Sequence, residues 1–334
     1  MPRKPNVVVT SKCFPETLEL LRAEADLVAN PGPEAWTYHE VLRQSRTANA
    51  VMAFMPDRLD AAFFAACPDL RIVGAVLKGF DNIDAAAATR AGVWVTIVPD
   101  LLTIPTAELA IGLMLSVGRN IHSADRAVRA GEFQGWRPRF YGRGLANETV
   151  GIVGFGCVGQ AIADRLRAFN CRILAYDSNA VDLARAGSVE FTQLGDLVSR
   201  SDYVVLALPL NESTQKIVDR DLIARMQNGA YLINPARGSL VDEAAIADAL
   251  ERGHLAGYAA DVFEFEDWAR PGRPAHIEPR LIKDLDRTVL TPHIGSATVD
   301  ARRRIELSAA QSILECLRGE KPSLAINHPD SVHV

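Results

Sequence analysis

The sequence lacks the features that would tie a protein to nucleic acid or to a membrane. Its 36 lysines and arginines are nearly balanced by 41 aspartates and glutamates. No long block of one sign occurs, so neither a nucleic-acid surface nor a polybasic membrane patch is predicted. Long hydrophobic runs are missing as well, since the basic start turns polar after three valines and no later run could span a bilayer. We therefore expect a soluble, cytoplasmic protein.

Cysteine is also scarce. The five cysteines are odd in number, lie far apart and include no CxxC pair, so the sequence predicts neither a disulfide framework nor a metal site. This usage is typical of a reducing compartment. What the 334 residues do contain is 48% apolar side chains, enough to bury the cores of two domains.

Short apolar runs alternate with helix-length segments along most of the chain. In the first hundred residues the runs lie at 7–10, 51–54, 71–77 and 93–98. A second, more regular series begins at Thr149, and a helix is predicted near the end, at 298–318. Residues 105–130 predict one long helix that connects the two series. The predicted fold class is α/β, with two doubly wound parallel-sheet domains.

A glycine-rich turn follows the apolar run TVGIV and precedes a predicted helix. Gly154, Gly156 and Gly159 suit the tight turn, the approach of a pyrophosphate and the packing of the helix. Asp177 ends the next strand, where a carboxylate can accept hydrogen bonds from ribose hydroxyls and would repel a 2′-phosphate. These features predict an NAD site with the pyrophosphate at a helix N-terminus. The alternative is an ordinary glycine turn beside a surface aspartate.

Three polar residues follow apolar strands, at the ends where open α/β sheets place their ligands. They are Arg237 in NPARGS, Glu266 in VFEFE and His293 in TPHIGS. An arginine offers a fork for an oxyanion, a histidine can accept a proton near neutral pH, and a glutamate can orient the imidazole. Each residue alone could be structural or solvated. Their shared position predicts a catalytic set.

Four segments resemble the signature segments of D-2-hydroxyacid dehydrogenases: GFGCVG, NPARGSLVDEAAIADAL, GYAADVFEFE and TPHIGSAT. The resemblance covers nearly the whole chain and assigns that family's catalytic Arg, Glu and His to the three residues above. It implies a Rossmann NAD-binding domain, residues 101–295, inserted into a flavodoxin-like substrate domain of residues 1–100 and 296–334, and a homodimer. It also implies further NAD contacts from Leu102, Thr106, Cys157, Val158, Leu208, Pro209, Pro235, Ala236, Asp261 and Gly295.

Within that superfamily, other segments resemble the phosphite (phosphonate) dehydrogenases: AFMPDRLD, LKGFDNID, VPDLLTIPTAELAIGL, GEFQGWRPRFYGRGL and ADVFEFEDWARPGRP. This resemblance implies substrate contacts from Lys78 and the Gly79 amide, since a small dianion needs more positive charge than a monocarboxylate does. It also implies that the pocket is lined by Met55, Trp136, Tyr141, Trp268 and Arg302. The alternatives are that the aromatic side chains only pack against other side chains, and that Arg302, in a run of three arginines, faces solvent.

The implied activity is oxidation of phosphite to phosphate, with hydride transfer to NAD. Lys78, the Gly79 amide and Arg237 would hold phosphite, while His293, oriented by Glu266, takes a proton from the attacking water. Two alternatives stay open. One is a D-2-hydroxyacid dehydrogenase or glyoxylate/hydroxypyruvate reductase that uses the lysine otherwise. The other is an NAD(H)-sensing binding protein similar to certain corepressors, against which the three catalytic candidates and the lysine argue.

Overall fold

The computed structural model describes residues 4–98, 100–179, 187–267, 270 and 272–329. In chain order, the first elements are β1 (Asn6–Val9), α1 (Pro15–Glu24), β2 (Asp26–Ala29), α2 (Tyr38–Ser45), β3 (Ala50–Ala53), α3 (Ala61–Ala66), β4 (Ile72–Ala75), α4 (Ala85–Arg90) and β5 (Trp94–Thr96). There follow α5 (Thr103–Gly118), α6 (Ile121–Arg129), β6 (Thr149–Val153), α7 (Cys157–Leu166), β7 (Arg172–Tyr176), β8 (Glu190–Phe191), α8 (Leu194–Arg200), β9 (Tyr203–Leu206) and α9 (Arg220–Arg225). The last are β10 (Ala230–Asn234), α10 (Glu243–Glu251), β11 (Leu255–Ala260), α11 (Pro279–Lys283), β12 (Thr288–Leu290) and α12 (Val299–Leu317).

These elements form two compact units. The first consists of 1–102, 268–271 and 297–334, and the second of 103–267 and 272–296. The sequence prediction placed the corresponding boundaries at 100/101 and 295/296. The first unit is thus made from both ends of the chain.

The described part of the first unit is built on a five-stranded parallel sheet with the order β2-β1-β3-β4-β5. Successive residues of a strand point to opposite faces, and here both faces are buried. Val7 and Val9 pack beneath α1 and α12, whereas Val8 packs beneath α2, α3 and α4. Gly74 lets α12 lie directly on β4, because a Cβ there would come within 2.7 Å of Ile313 Cγ1.

The second unit has a seven-stranded parallel sheet in its described residues, with the order β12-β11-β10-β9-β6-β7-β8. Helices α5 and α7 cover one face, and α8 to α11 cover the other. The strand order reverses between β6 and β9, the position at which Rossmann-type sheets bind their ligands. Two doubly wound parallel sheets confirm the predicted fold class.

The single helix predicted at 105–130 is wrong, because two helices occupy this stretch. Asn120 adopts the left-handed conformation, with φ 53°, and so ends the run between α5 and α6; asparagine tolerates this conformation better than most residues. Helix α5 packs against α7, β10 and β11 within the second unit. Throughout the residues described, every helix is too short or too polar to cross a bilayer.

Candidate active site

The glycine-rich turn joins β6 to α7. Gly154 has φ 96°, and a Cβ there would lie 2.6 Å from the Ala207 carbonyl oxygen; a Cβ on Gly159 would lie 2.2 Å from the Gly154 oxygen. These two glycines allow the strand to turn tightly into the helix. A Cβ on Gly156 would meet nothing within 4 Å, so the N-terminus of α7 has open space where a pyrophosphate fits.

Asp177 follows β7 and lies beside the glycine turn. Its Oδ2 accepts a hydrogen bond from Phe155 N at 2.7 Å, and its Oδ1 accepts one from Asn179 N at 2.9 Å. A cavity of about 420 Å³ opens here, lined by Tyr176, Asp177, Ser178, Phe191, Thr192 and Gln193. None of these lining residues is a lysine or an arginine that could pair with a 2′-phosphate. The carboxylate and the glycine turn therefore fit the adenosine and pyrophosphate of NAD.

The other residues predicted to contact NAD follow strands or begin helices. Cys157 is exposed and Val158 half-buried in the first turn of α7. The Thr106 hydroxyl, in α5, donates to the Gly295 oxygen at 3.4 Å. In the first unit, Leu102 packs against the core beneath α12. Leu208 and Pro209 lie just after β9, and Pro235 and Ala236 follow β10.

The candidate catalytic residues lie at the carboxyl ends of three neighbouring strands, β10, β11 and β12. His293 Nδ1 lies 2.9 Å from Glu266 Oε2, and Glu266 Oε1 accepts a hydrogen bond from Phe263 N at 2.8 Å. With its proton on Nδ1, the imidazole donates to the carboxylate and keeps Nε2 as the acceptor. Both side chains are partly exposed, so this nitrogen can exchange a proton with a bound molecule.

Asp261 shapes the loop that carries His293. Its Oδ1 accepts hydrogen bonds from Ile294 N at 2.8 Å and from the Thr291 hydroxyl at 2.6 Å, and its Oδ2 accepts one from Gly295 N at 2.7 Å. Burial raises the pKa of Asp261, and these hydrogen bonds oppose the rise. His293 itself has φ 55°, a strained conformation that such surroundings can maintain. The sequence indicated Asp261 only as a cofactor contact and missed this role.

Arg237 precedes a 3₁₀ turn, Gly238–Leu240, at the end of β10. The buried Asn234 side chain fixes its backbone, since Asn234 Nδ2 donates to the Arg237 oxygen at 2.8 Å. Asn234 Oδ1 in turn accepts from Ala236 N at 3.1 Å. The arginine side chain is half-buried and its Nη1 donates to the Ala236 oxygen at 2.9 Å.

In the first unit, the loops after β3 and β4 carry the predicted substrate contacts. Met55, Lys78 and Gly79 are all half-buried there. Asn82 ties the two loops together, because its Nδ2 donates to the Asp57 oxygen at 2.8 Å and to the Phe54 oxygen at 3.3 Å. The sequence did not single out Asn82, whose contacts depend on how the two loops pack.

Asp57 anchors the first of these loops. It is almost completely buried, and its Oδ2 accepts hydrogen bonds from Phe54 N at 2.7 Å and from the Thr10 hydroxyl. Burial raises the pKa of Asp57 to about 6, against the effect of these hydrogen bonds.

Arg302, predicted to line the pocket, is less exposed than the two arginines that follow it. Its side chain is 25% exposed, compared with 52% for Arg303 and 62% for Arg304. Its Nη2 lies 3.9 Å from Oε1 of the buried Glu306, and its guanidinium carbon is 5.9 Å from the centre of the Phe54 ring. Arg302 is therefore a confined cation beside the loop of Met55.

The aromatic residues predicted to line the pocket are not confined as Arg302 is. Trp136 and Tyr141 belong to the second unit, in the segment between α6 and β6, and are 77% and 76% exposed. Trp268 lies outside the described residues.

Comparison with known proteins identifies the family. Residues 111–295 match the NAD-binding domain of the D-isomer specific 2-hydroxyacid dehydrogenases. The glyoxylate reductase of Thermofilum pendens is 38% identical over 331 residues, covering 97% of this chain and 95% of that protein. The glyoxylate reductase of Pyrococcus horikoshii is 37% identical over 330 residues, with coverage of 97% and 96%.

Solved structures agree with this relationship. The TT0316 protein from Thermus thermophilus superposes with a TM-score of 0.86 at 32% identity, covering 96% of this chain and all of its own. A protein described as a putative D-isomer specific 2-hydroxyacid dehydrogenase from Polaromonas sp. JS6 66 has a TM-score of 0.88 at 30% identity, with coverage of 97% and 100%.

The Rossmann sheet, the glycine turn and these matches define an NAD-dependent oxidoreductase. More specifically, the chain belongs to the D-isomer specific 2-hydroxyacid dehydrogenase family, with residues 111–295 as its NAD-binding domain. The predicted superfamily and the predicted cofactor, NAD, are confirmed. The two relatives above are glyoxylate reductases and not phosphite dehydrogenases, so the substrate expected from the sequence is not confirmed.

Proposed function

We propose that this protein oxidises phosphite to phosphate, and that His293, Glu266 and Arg237 are its catalytic residues. The overall reaction is balanced when phosphite and water give phosphate, a hydride and a proton. NAD, when bound, accepts the hydride. His293 Nε2 takes the proton from the water as its oxygen attacks phosphorus, and Glu266 holds the imidazole by Nδ1 at 2.9 Å. Arg237 offers its guanidinium to the substrate oxygens.

The choice of phosphite rests on two cations of the first unit, Lys78 and Arg302. Lys78 follows β4, and the confined Arg302 lies beside Phe54 of the Met55 loop. A compact dianion needs such charge, whereas a monocarboxylate can be held by fewer donors. The segments around Met55 and Lys78 are also among those that resemble phosphite dehydrogenases. We assign substrate binding to the first unit on these grounds.

Reduction of a 2-oxoacid such as glyoxylate is the second candidate, and the comparisons support it more directly than the first. The relatives from Thermofilum pendens and Pyrococcus horikoshii, which match along nearly the whole chain, are glyoxylate reductases. The same residues suit this reaction, because His293 can donate a proton to the substrate oxygen and Arg237 can bind the carboxylate.

Steady-state assays with purified protein separate the two candidates. One arm contains NAD and phosphite, and the other contains NADH with glyoxylate or hydroxypyruvate. We expect rapid NADH formation with phosphite and a kcat/KM at least a hundredfold lower with either oxoacid. The opposite ratio would refute phosphite and establish the oxoacid. Negligible turnover in both arms, with tight NADH binding, would instead indicate the NAD(H)-sensing protein.

The variant Lys78→Ala sharpens this assay. We expect it to raise KM for phosphite by at least tenfold, because it removes one of the charges that hold the dianion. Arg303→Ala is the matched control, since that side chain is largely exposed and pairs with Glu16. A wild-type KM in Lys78→Ala would remove the basis for choosing phosphite.

The homodimer is also part of this proposal. The exposed apolar side chains of the second unit include Ile121, Val128 and Phe133, together with Trp136 and Tyr141. A monomer rarely exposes so much apolar surface in one segment, so a second copy is a suitable partner. Light scattering should give twice the chain mass of 36.3 kDa, and a monomer at assay concentration would refute the dimer.

A further inference from the structure

Asp267 is a buried carboxylate to which the proposed chemistry gives no role. It follows Glu266 directly, and its side chain is fully buried. Its Oδ2 accepts a hydrogen bond from Ser239 N at 2.6 Å. Ser239 lies two residues after Arg237, so this bond joins the segment of one candidate catalytic residue to the segment of another.

The contact acts as a cap for the 3₁₀ turn Gly238–Leu240. The N-cap position of this turn is Arg237, whose side chain makes no capping hydrogen bond. Short polar side chains usually satisfy the first N–H groups of a helical turn, and arginine is not among them. Asp267 caps the turn from a different segment. The turn after Arg237 is therefore capped without the guanidinium of Arg237.

The two segments also meet backbone to backbone. A Cβ on Gly238 would lie 1.9 Å from the carbonyl carbon of Phe263 and 2.1 Å from its oxygen, so no side chain fits between them. Phe263 N donates to Glu266 Oε1, which fixes the Glu266 side chain to the same backbone. A shift of the turn after Arg237 would therefore move the support of Glu266 as well.

Capping alone does not require burial. Asp219 caps α9 in the same way, accepting from Leu222 N at 2.8 Å, and that residue is exposed. A buried carboxylate is costly unless its hydrogen bonds offset the loss of water. The burial of Asp267 thus points to a role in the geometry of the site.

We propose that Asp267 is a positioning residue that sets the turn of Arg237 against the turn of Glu266. The proposal rests on the catalytic roles given to these two residues under the proposed function. Asp267 itself touches neither substrate nor cofactor in this scheme. Its effect on the reaction passes through Arg237, Glu266 and, by the 2.9 Å contact with Glu266, His293.

Four variants test the proposal: Asp267→Ala, Asp267→Asn, Ser239→Pro and the control Asp219→Ala. Each variant is assayed with the substrate that the wild type turns over. Rates are expressed per NADH-binding site, and the number of sites is determined by titration with NADH. We expect Asp267→Ala to lower kcat/KM at least tenfold with NADH affinity unchanged. Asp267→Asn should retain at least half of wild-type kcat/KM, because an amide oxygen can still accept from Ser239 N. Asp219→Ala should lower stability without changing kcat/KM.

Ser239→Pro removes the donor of the same hydrogen bond, and proline is tolerated in a first helical turn. It should lower kcat/KM as Asp267→Ala does. The double variant should be no worse than Asp267→Ala alone, since both changes remove the same hydrogen bond. Unchanged kcat/KM in both single variants would overturn the proposal, as would Asp267→Asn being as impaired as Asp267→Ala.

A crystal structure of Asp267→Ala gives a readout that does not depend on activity. We expect residues 237–239 to move relative to 264–266, and unmoved segments would overturn the proposal. A wild type that is inactive with phosphite, glyoxylate and hydroxypyruvate refutes the proposed function instead. The two failures are thus distinguishable. Should Asp267→Ala not fold, Ser239→Pro and Asp267→Asn carry the same test.

Discussion

The buried carboxyl group of Asp57 allows a quantitative prediction for the loop that carries Met55. Replacing Asp57 with asparagine keeps an oxygen that can accept from Phe54 N and from the Thr10 hydroxyl. It removes the ability to ionise and places an amide NH2 group where Oδ1 lies, a change that does not itself vary with pH. The native protein holds the Asp57 proton up to its pKa of about 6, whereas an unfolded chain releases it near the usual 3.8. Raising the pH through this window therefore favours unfolding of the wild type.

The size of the effect follows from these two pKa values. Their separation, about 6 minus 3.8, is about 2.2, and each unit is worth about 1.36 kcal/mol, so the limit is about 3 kcal/mol. We define the stability difference as the free energy of unfolding of Asp57→Asn minus that of the wild type. We expect this difference to rise by about 2.4 kcal/mol between pH 4 and pH 7, because the unfolded carboxyl group is already more than half ionised at pH 4. Other buried carboxyl groups titrate in both proteins, so their contributions cancel in the stability difference.

Urea unfolding at a series of pH values measures this difference. The buried Trp94 belongs to the first unit, so its fluorescence follows the unit that contains Asp57, which matters because two units need not unfold together. Asp60→Asn is the control. Burial opposes ionisation of Asp60, but hydrogen bonds from Phe63 N and Tyr38 outweigh it and lower its pKa. The free energy of unfolding of Asp60→Asn minus that of the wild type should therefore fall with rising pH. A flat difference for Asp57→Asn would refute the reasoning.

Three further predictions concern the site. Asp177→Ala should weaken NAD binding and improve the NADP-to-NAD ratio of kcat/KM by about tenfold, because it removes a carboxylate that repels a 2′-phosphate; an unchanged ratio would contradict the assignment. Arg302→Ala should raise KM for the anionic substrate about tenfold with little change in NAD affinity. The control Arg303→Ala, at an exposed side chain, should change neither KM nor NAD affinity. Equal effects of the two substitutions would contradict a substrate role for Arg302. Glu266→Gln should lower kcat about a hundredfold in stopped-flow and steady-state assays, because the imidazolium of His293 loses its counter-charge; wild-type kcat would exclude the proposed dyad.

The fold class could be predicted because strands buried on both faces give continuous apolar runs. The edge strand β2 escaped this signal, since its residues alternate between exposed and half-buried. The two-residue β8 was too short to give any pattern. The break between α5 and α6 was also missed, because Asn120 is neither a glycine nor a proline and its left-handed conformation is set by the surrounding structure.

The glycine turn and the catalytic candidates were accessible from the sequence because each occupies a local strand-to-loop junction. The residues that hold them were not. Asp261 contacts the loop of His293 across more than thirty positions, and Asp267 caps a turn 28 positions away. Such contacts depend on which strands become neighbours, which no local spacing encodes. The confinement of Arg302 beside Phe54 has the same long-range origin.

The packing of α12 on Gly74 has a consequence for how the chain folds during synthesis. The ribosome makes β1 to β5 early, but the helix that covers one face of their sheet emerges only after the whole second unit. Until then the apolar side chains of that face, among them Met52 and Ile72, stay exposed to aggregation or to chaperones. The second unit, whose segments are continuous apart from a short interruption, can complete its core first. Maturation of the nascent chain is thus expected to proceed from the middle of the polypeptide outward.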